Sequence, residues 1–136
     1  MRLRFPLAAV LFCLAALPAV AQRPQWGHPR PPRAGACFYK DAGFNGEYFC
    51  LRAGDRWPTM PSGFNDRISS VRLFGGSLVQ IFENGNYGGR RARFDHDVDN
   101  LERMRLPGDP IKSWNDRVSA IAVFNARDAW DRQHRD

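Results

Sequence analysis

Two stretches of this chain are written twice, in the same order. SGFNDRISSVRLF at residues 62–74 returns as KSWNDRVSAIAVF at residues 112–124, and YKDAGFNG at residues 39–46 returns as FENGNYGG at residues 82–89. Each half runs from an aromatic hairpin segment through a loop to Asn-Asp-Arg-aliphatic-Ser, then into an apolar strand ending at Phe74 or Phe124. Repetition of a whole supersecondary unit restricts the chain to a tandem of two like halves.

Those halves read as β-structure. Between Ala36 and Phe124 the segments are short, aromatic and β-branched, punctuated by Gly, Asn and Asp, with no sustained helical spacing. In each hairpin two aromatics enclose turn formers: Asp41, Gly43 and Asn45 in the first, Asn84, Gly85 and Asn86 in the second. Gly46 and Gly89 follow the second aromatic, where a chain folded over its own sheet needs φ > 0 and no Cβ beneath the ring. The halves differ in length: Phe44 to Asn65 spans 21 positions and Tyr87 to Asn115 spans 28, the excess falling within residues 99–113.

The ends of the chain have other characters. Arg2 and Arg4, an apolar run over residues 7–17 and the small residues Ala19-Val20-Ala21 predict a signal peptide, residues 1–21, cleaved after Ala21. The apolar run is too short to span a bilayer, so the mature chain is expected to have no membrane span and to be secreted or periplasmic. Residues 22–35, rich in Pro and Arg, read as an extended linker, residues 36–124 as one domain, and residues 125–136 as a polar tail. Removal of Cys13 with the signal leaves the pair Cys37 and Cys50, which an oxidising compartment would join in a disulfide.

The two repeats resemble the signatures of the βγ-crystallin superfamily. Its hairpin signature is aromatic, four residues, aromatic, one residue, glycine, and its calcium signature is Asn/Asp, Asn/Asp, two variable residues, Ser/Thr, Ser. Asn65-Asp66-Arg67-Ile68-Ser69-Ser70 satisfies the second throughout, and Asn115-Asp116-Arg117-Val118-Ser119-Ala120 departs at its last position. The resemblance implies an all-β, two-sheet sandwich of two tandem Greek-key motifs with eight strands, its halves related by an approximate two-fold axis. It also implies two calcium sites between the motifs: Asn65, Asp66, Arg67 and Ser69 with the Glu83 carbonyl, and Asn115, Asp116, Arg117 and Ser119 with the Lys40 carbonyl.

Calcium takes six to eight oxygens from carboxylates, hydroxyls, carbonyls and water, and Asp66 with Ser69, or Asp116 with Ser119, would offer a carboxylate and a hydroxyl to one point. One carboxylate per site predicts weak binding, with Kd on the order of 10⁻⁴ M. The guanidinium of Arg67 or Arg117, beside each carboxylate, would compete with the metal. Asn-Asp ahead of a strand also builds an ordinary turn, in which Asp and Ser satisfy backbone groups.

Other residue groups carry less. Asp95-His96-Asp97-Val98-Asp99 alternates carboxylates around one histidine. Arg90, Arg91 and Arg93, with Arg103, Arg105 and Lys112 behind them and Tyr87 and Trp114 near, read as a solvated, arginine-protected edge strand, with a patch for anionic polymers as the lesser alternative. No nucleophile with a base, paired carboxylates or phosphate-cradling loop is legible, so neither an enzyme nor a nucleic-acid partner is expected. The chain also resembles small secreted bacterial metalloproteinase (peptidase) inhibitors of crystallin-like fold, in its signal peptide, in Ala36-Cys37-Phe38-Tyr39 and in Cys50. That resemblance makes an extracellular protease the alternative partner, met by a rigid loop over residues 100–113 with Met104 or Arg105 at its tip, and a monomer is expected.

Overall fold

The hairpin segments become long strands because their apolar residues alternate toward one interior. In the computed structural model, which describes residues 29–128, β1 (Gly35–Asp41) and β2 (Asn45–Arg52) form the first hairpin, with Ala36, Phe38, Phe49 and Leu51 directed into the core. The predicted signal peptide, residues 22–28 of the expected linker, and residues 129–136 of the tail lie outside the described residues. After β3 (Arg56–Trp57) and β4 (Ser70–Phe74), the second half repeats the hairpin as β5 (Ser77–Asn84) and β6 (Gly88–Phe94) and ends in β7 (Ala120–Asn125). No helix among the described residues is long and apolar enough to cross a membrane.

The strands form two antiparallel sheets, ordered β2-β1-β4 and β3-β7-β5-β6. β3 belongs by sequence to the first half, yet it pairs with β7 of the second, Arg56 opposite Ala122 and Trp57 opposite Ile121. The exchange is mutual, since Val98 of the second half bridges to Val71 of β4. The described residues therefore form seven strands, and the expected eighth is reduced to that bridge. Among the charged residues 95–99, Asp97 Oδ1 accepts the Leu73 N–H at 2.7 Å, so a side chain takes the ladder position a strand carbonyl would fill.

Between the sheets lie Phe38, Phe49, Ile68, Val71, Val79, Ile81, Leu101, Leu106, Trp114, Val118, Ile121 and Val123, all nearly or fully buried. Among the aromatics, Phe38 and Phe82 are buried, while Phe44, Phe74, Tyr87 and Phe124 are half-buried. Phe44 meets Tyr39 edge-on at 5.8 Å and Tyr87 meets Phe82 at 5.3 Å, so each hairpin folds its second aromatic over its own sheet. Each lid carries a guanidinium, Arg72 at 5.4 Å from the Phe44 ring and Arg56 at 5.0 Å from that of Tyr87. The lid residues Phe44 and Tyr87 take φ near 60° themselves. Gly46 and Gly89 also have positive φ, but a Cβ there would strike Asp41 or Asn84 of the turn, where the sequence suggested the ring.

Cys37 and Cys50 stand opposite one another in the β1–β2 ladder and form the expected disulfide, with Cα atoms 4.0 Å apart. The last residues of the expected linker are not wholly solvated. The Tyr48 hydroxyl donates to the Pro29 carbonyl at 3.1 Å, and the Ala53 N–H to the Ala34 carbonyl at 3.0 Å.

Candidate functional site

Each Asn-Asp-Arg turn is pinned between two buried side chains. Phe64 and Ile68 hold the first, and Trp114 and Val118 hold the second. Between these anchors the chain makes one tight turn, closed by Arg67 N–H to the Phe64 carbonyl and Arg117 N–H to the Trp114 carbonyl, both at 3.2 Å. Asp66 and Asp116 sit at φ 54° and 53°, a left-handed conformation that Asp tolerates better than most residues. The turns lie against each other across the halves, with Asp66 N–H donating to the Val118 carbonyl and Asp116 N–H to the Ile68 carbonyl, each at 3.2 Å.

That antiparallel contact decides the side-chain pairing. Asp66 Oδ1 accepts from the Ser119 hydroxyl at 3.1 Å and Asp116 Oδ1 from the Ser69 hydroxyl at 3.5 Å. The second oxygen of each carboxylate accepts from its own neighbour, Asn65 or Asn115, at 3.0 Å. Pairing was expected within each repeat, Asp66 with Ser69 and Asp116 with Ser119; the structure exchanges the partners, because each turn faces the other repeat's strand entry. Each serine is fixed by its own hairpin, Ser69 N–H to the Tyr39 carbonyl and Ser119 N–H to the Phe82 carbonyl, both at 2.9 Å. One cluster thus holds Asp116, Ser69 and the backbone around Lys40, and the other holds Asp66, Ser119 and the backbone around Glu83.

Among the described residues neither Arg67 nor Arg117 forms an ion pair with Asp66 or Asp116. Desolvation raises the Asp116 pKa above its ordinary 3.8, against the opposing pulls of the Ser69 hydrogen bond, the Arg67 charge and Asn115. A folded carboxyl with a raised pKa holds its proton more tightly than the unfolded chain does. Its contribution to stability is present below 3.8 and is lost as pH rises through the folded value. Asp116→Asn, which mimics the protonated form, should therefore melt above wild type near neutral pH in the presence of chelator. The gap should close as the pH falls below 3.8, which thermal scans at several pH values would measure.

The mismatch at Ala120 proves to concern the hairpin. Its counterpart Ser70, fully buried, donates to the Asp41 carbonyl at 2.6 Å and accepts the Phe44 N–H at 3.1 Å, latching the first hairpin turn. Ala120 packs with Phe82 and Ala122 in a small apolar cluster instead. In the sequence this position registered only as a match or a mismatch to the calcium signature, and the latch went unseen.

The remaining candidates disperse. Among the described residues no three His, Cys, Asp or Glu side chains gather as metal ligands, and in the acidic run Asp97 serves Leu73 while Asp99 meets Arg103 at 3.5 Å. The basic group is broken up: Arg90 reaches Glu83 and Asp109, Arg103 reaches Asp99, Lys112 reaches Asp109, and Trp114 is buried. Met104 and Arg105 are not at the tip of the long loop. Met104 is packed against the core with its carbonyl accepting the Trp114 N–H at 2.9 Å, and Arg105 bridges to Ser113.

Peptidase inhibitor family I36 matches this chain over residues 28–94. No curated protein matches it. Among solved structures, a βγ-crystallin domain from Flavobacterium johnsoniae is 28% identical, covers 66% of this chain and 93% of its own, and has a TM-score of 0.53. The Ca²⁺-bound βγ-crystallin domain of Abundant Perithecial Protein from Neurospora crassa is 17% identical, covers 72% and 96%, and has a TM-score of 0.55. A structure from work on the evolution of the eye-lens βγ-crystallin fold is 22% identical, covers 74% and 96%, and has a TM-score of 0.57.

Proposed function

We propose that this chain, which has the fold of the βγ-crystallin domains, is a secreted module of that superfamily that binds two calcium ions weakly, one at each exchanged Asp–Ser cluster. The observation that carries this reading is the pairing of each carboxylate with the other repeat's hydroxyl, which gathers hard oxygen donors at two equivalent places. Asp116, Ser69 and the Lys40 carbonyl would hold one ion, and Asp66, Ser119 and the Glu83 carbonyl the other. A bound ion supplies positive charge that offsets the cost of ionising the partly desolvated Asp116. The disulfide suits an oxidising extracellular setting.

Because each site draws on both halves, calcium binds the folded chain alone and stabilises it by mass action. With Kd on the order of 10⁻⁴ M, about 1 mM calcium should add roughly 1.4 kcal/mol per site. Calorimetric titration of the chelator-stripped mature protein, with magnesium as control, should report two weak sites. Asp66→Ala and Asp116→Ala should each remove one of them. Absence of both heat and thermal shift at millimolar calcium would end this reading.

A second reading is favoured by the family match over residues 28–94: inhibition of an extracellular peptidase. It is tested by assaying protease activity with increasing mature protein, with and without calcium. A protein that leaves every assayed protease untouched, at either calcium level, would not be an inhibitor.

A further inference from the structure

The long loop of the second half carries a side chain that the fold does not use. Ile111 is 83% exposed, the one large apolar side chain so exposed among the described residues. Single exposed aliphatics are common on protein surfaces and mean little when the chain around them is loose. Here the chain around Ile111 is held from all sides.

The base of the loop is closed by the Arg105–Ser113 bridge and by the Leu106 N–H on the Lys112 carbonyl at 3.0 Å, with Leu106 itself buried. Asp109 is the keystone. Its N–H donates to the Leu106 carbonyl at 3.0 Å, and its Oδ1 accepts the N–H groups of Ile111 and Lys112 at 3.0 and 2.9 Å. Those two backbone bonds hold its carboxyl below the usual carboxylate range. Its Oδ2 lies 3.8 Å from Arg90 of β6 and 3.9 Å from Lys112, tying the loop to the sheet. Arg105 Nη1 donates to the Ile111 carbonyl at 2.8 Å, and Pro110 restricts the backbone just ahead. Ile111 is thus fixed at both its N–H and its C=O while its side chain points into solvent.

We infer that Ile111 is a preformed anchor for a protease pocket that accepts a branched aliphatic side chain, with acidic groups at its rim to meet Arg105 and Lys112. This rests on the inhibitor reading and names the element that performs it, outside the residues 28–94 that match the inhibitor family. A rigid loop loses little entropy on docking, and one apolar side chain filling a pocket is the usual centre of an interface. Because the N–H and C=O of Ile111 are already bonded within the loop, the segment cannot lie down as an added strand in a substrate cleft. The side chain is offered and the backbone withheld, so occupation of the pocket does not lead to cleavage at this residue.

The test uses the whole mature protein against thermolysin and elastase, which take aliphatic side chains, and against trypsin, which takes basic ones. Wild type should inhibit one of the first two. Ile111→Asp should weaken that inhibition at least tenfold, about the effect of losing 1.4 kcal/mol of binding, while leaving the melting temperature unchanged because the side chain is exposed. Asp109→Ala, which unlatches the loop, should weaken it in the same direction, and Ile111→Val should largely retain it. If wild type inhibits and Ile111→Asp inhibits equally, the anchor lies elsewhere and this inference falls while the inhibitor reading stands. Inhibition confined to trypsin and lost in Arg105→Gln would replace Ile111 by Arg105. Failure of wild type against all three would remove both.

Discussion

Replacing Trp114 by alanine should cost about 3–5 kcal/mol of stability, the range for emptying a buried large aromatic site. Trp114 is fully buried, plugs the core just before the second Asn-Asp-Arg turn, and donates its backbone N–H to the Met104 carbonyl. A domain of this size has about 5–15 kcal/mol to lose, so the variant should unfold at far lower urea than wild type. The site has a second property. Among the described residues the indole Nε1 is buried without a hydrogen-bond partner, and an unpaired buried donor costs about 1–3 kcal/mol. Trp114→Phe removes that donor while keeping an aromatic ring, and it copies Phe64, the buried residue at the equivalent place in the first repeat. It should therefore recover most of the loss. Equal destabilisation by phenylalanine and alanine in urea titrations would show that indole volume alone matters there.

Removal of the disulfide should be nearly as severe. Cys37 and Cys50 are separated by 13 positions, and opening a loop of that length frees the unfolded chain by about 3 kcal/mol in the entropy treatment. For a domain of roughly 100 residues this corresponds to a fall in melting temperature of roughly 12–24 °C. The paired variant Cys37→Ser with Cys50→Ser should show it, and wild type scanned in reductant should follow. The β1–β2 hairpin has its own support in Ser70, Tyr39 and Phe44, so the strand register should survive in the folded fraction. A melting temperature unchanged by reduction would mean that this local support already restricts the unfolded hairpin.

The fold was legible because its signals are local and duplicated. The spacing of Tyr39, Phe44 and Gly46, echoed by Phe82, Tyr87 and Gly89, identified both hairpins before any long-range contact was known. Pairing between halves was hidden for the opposite reason. Nothing near Asp66 in the sequence indicates that its hydroxyl partner is Ser119, 53 positions away, because that choice depends on how the two turns pack. The latch made by Ser70 was hidden too, since a serine closing the calcium signature shows in the sequence neither its burial nor its partners. Met104 and Arg105 were placed at a loop tip by counting residues, and only the buried neighbours Leu106 and Trp114 show that the loop turns later, around Asp109. The exposure of Ile111 could have been suspected from its position directly after Pro-Gly-Asp-Pro, a stretch too rich in turn formers to bury an aliphatic side chain.

The crossed assignment of β3 and Val98 sets the order in which the molecule can be completed. β3 emerges early in synthesis, but its neighbour in the sheet is β7, the last strand of the described chain. The first half alone therefore leaves β3 without its neighbour and β4 without the bridge from Val98. Partners this distant in sequence make folding slow and late compared with a chain of local contacts. An exported protein wired in this way would cross its membrane as an unfinished chain and acquire its structure on the far side, once β7 has arrived.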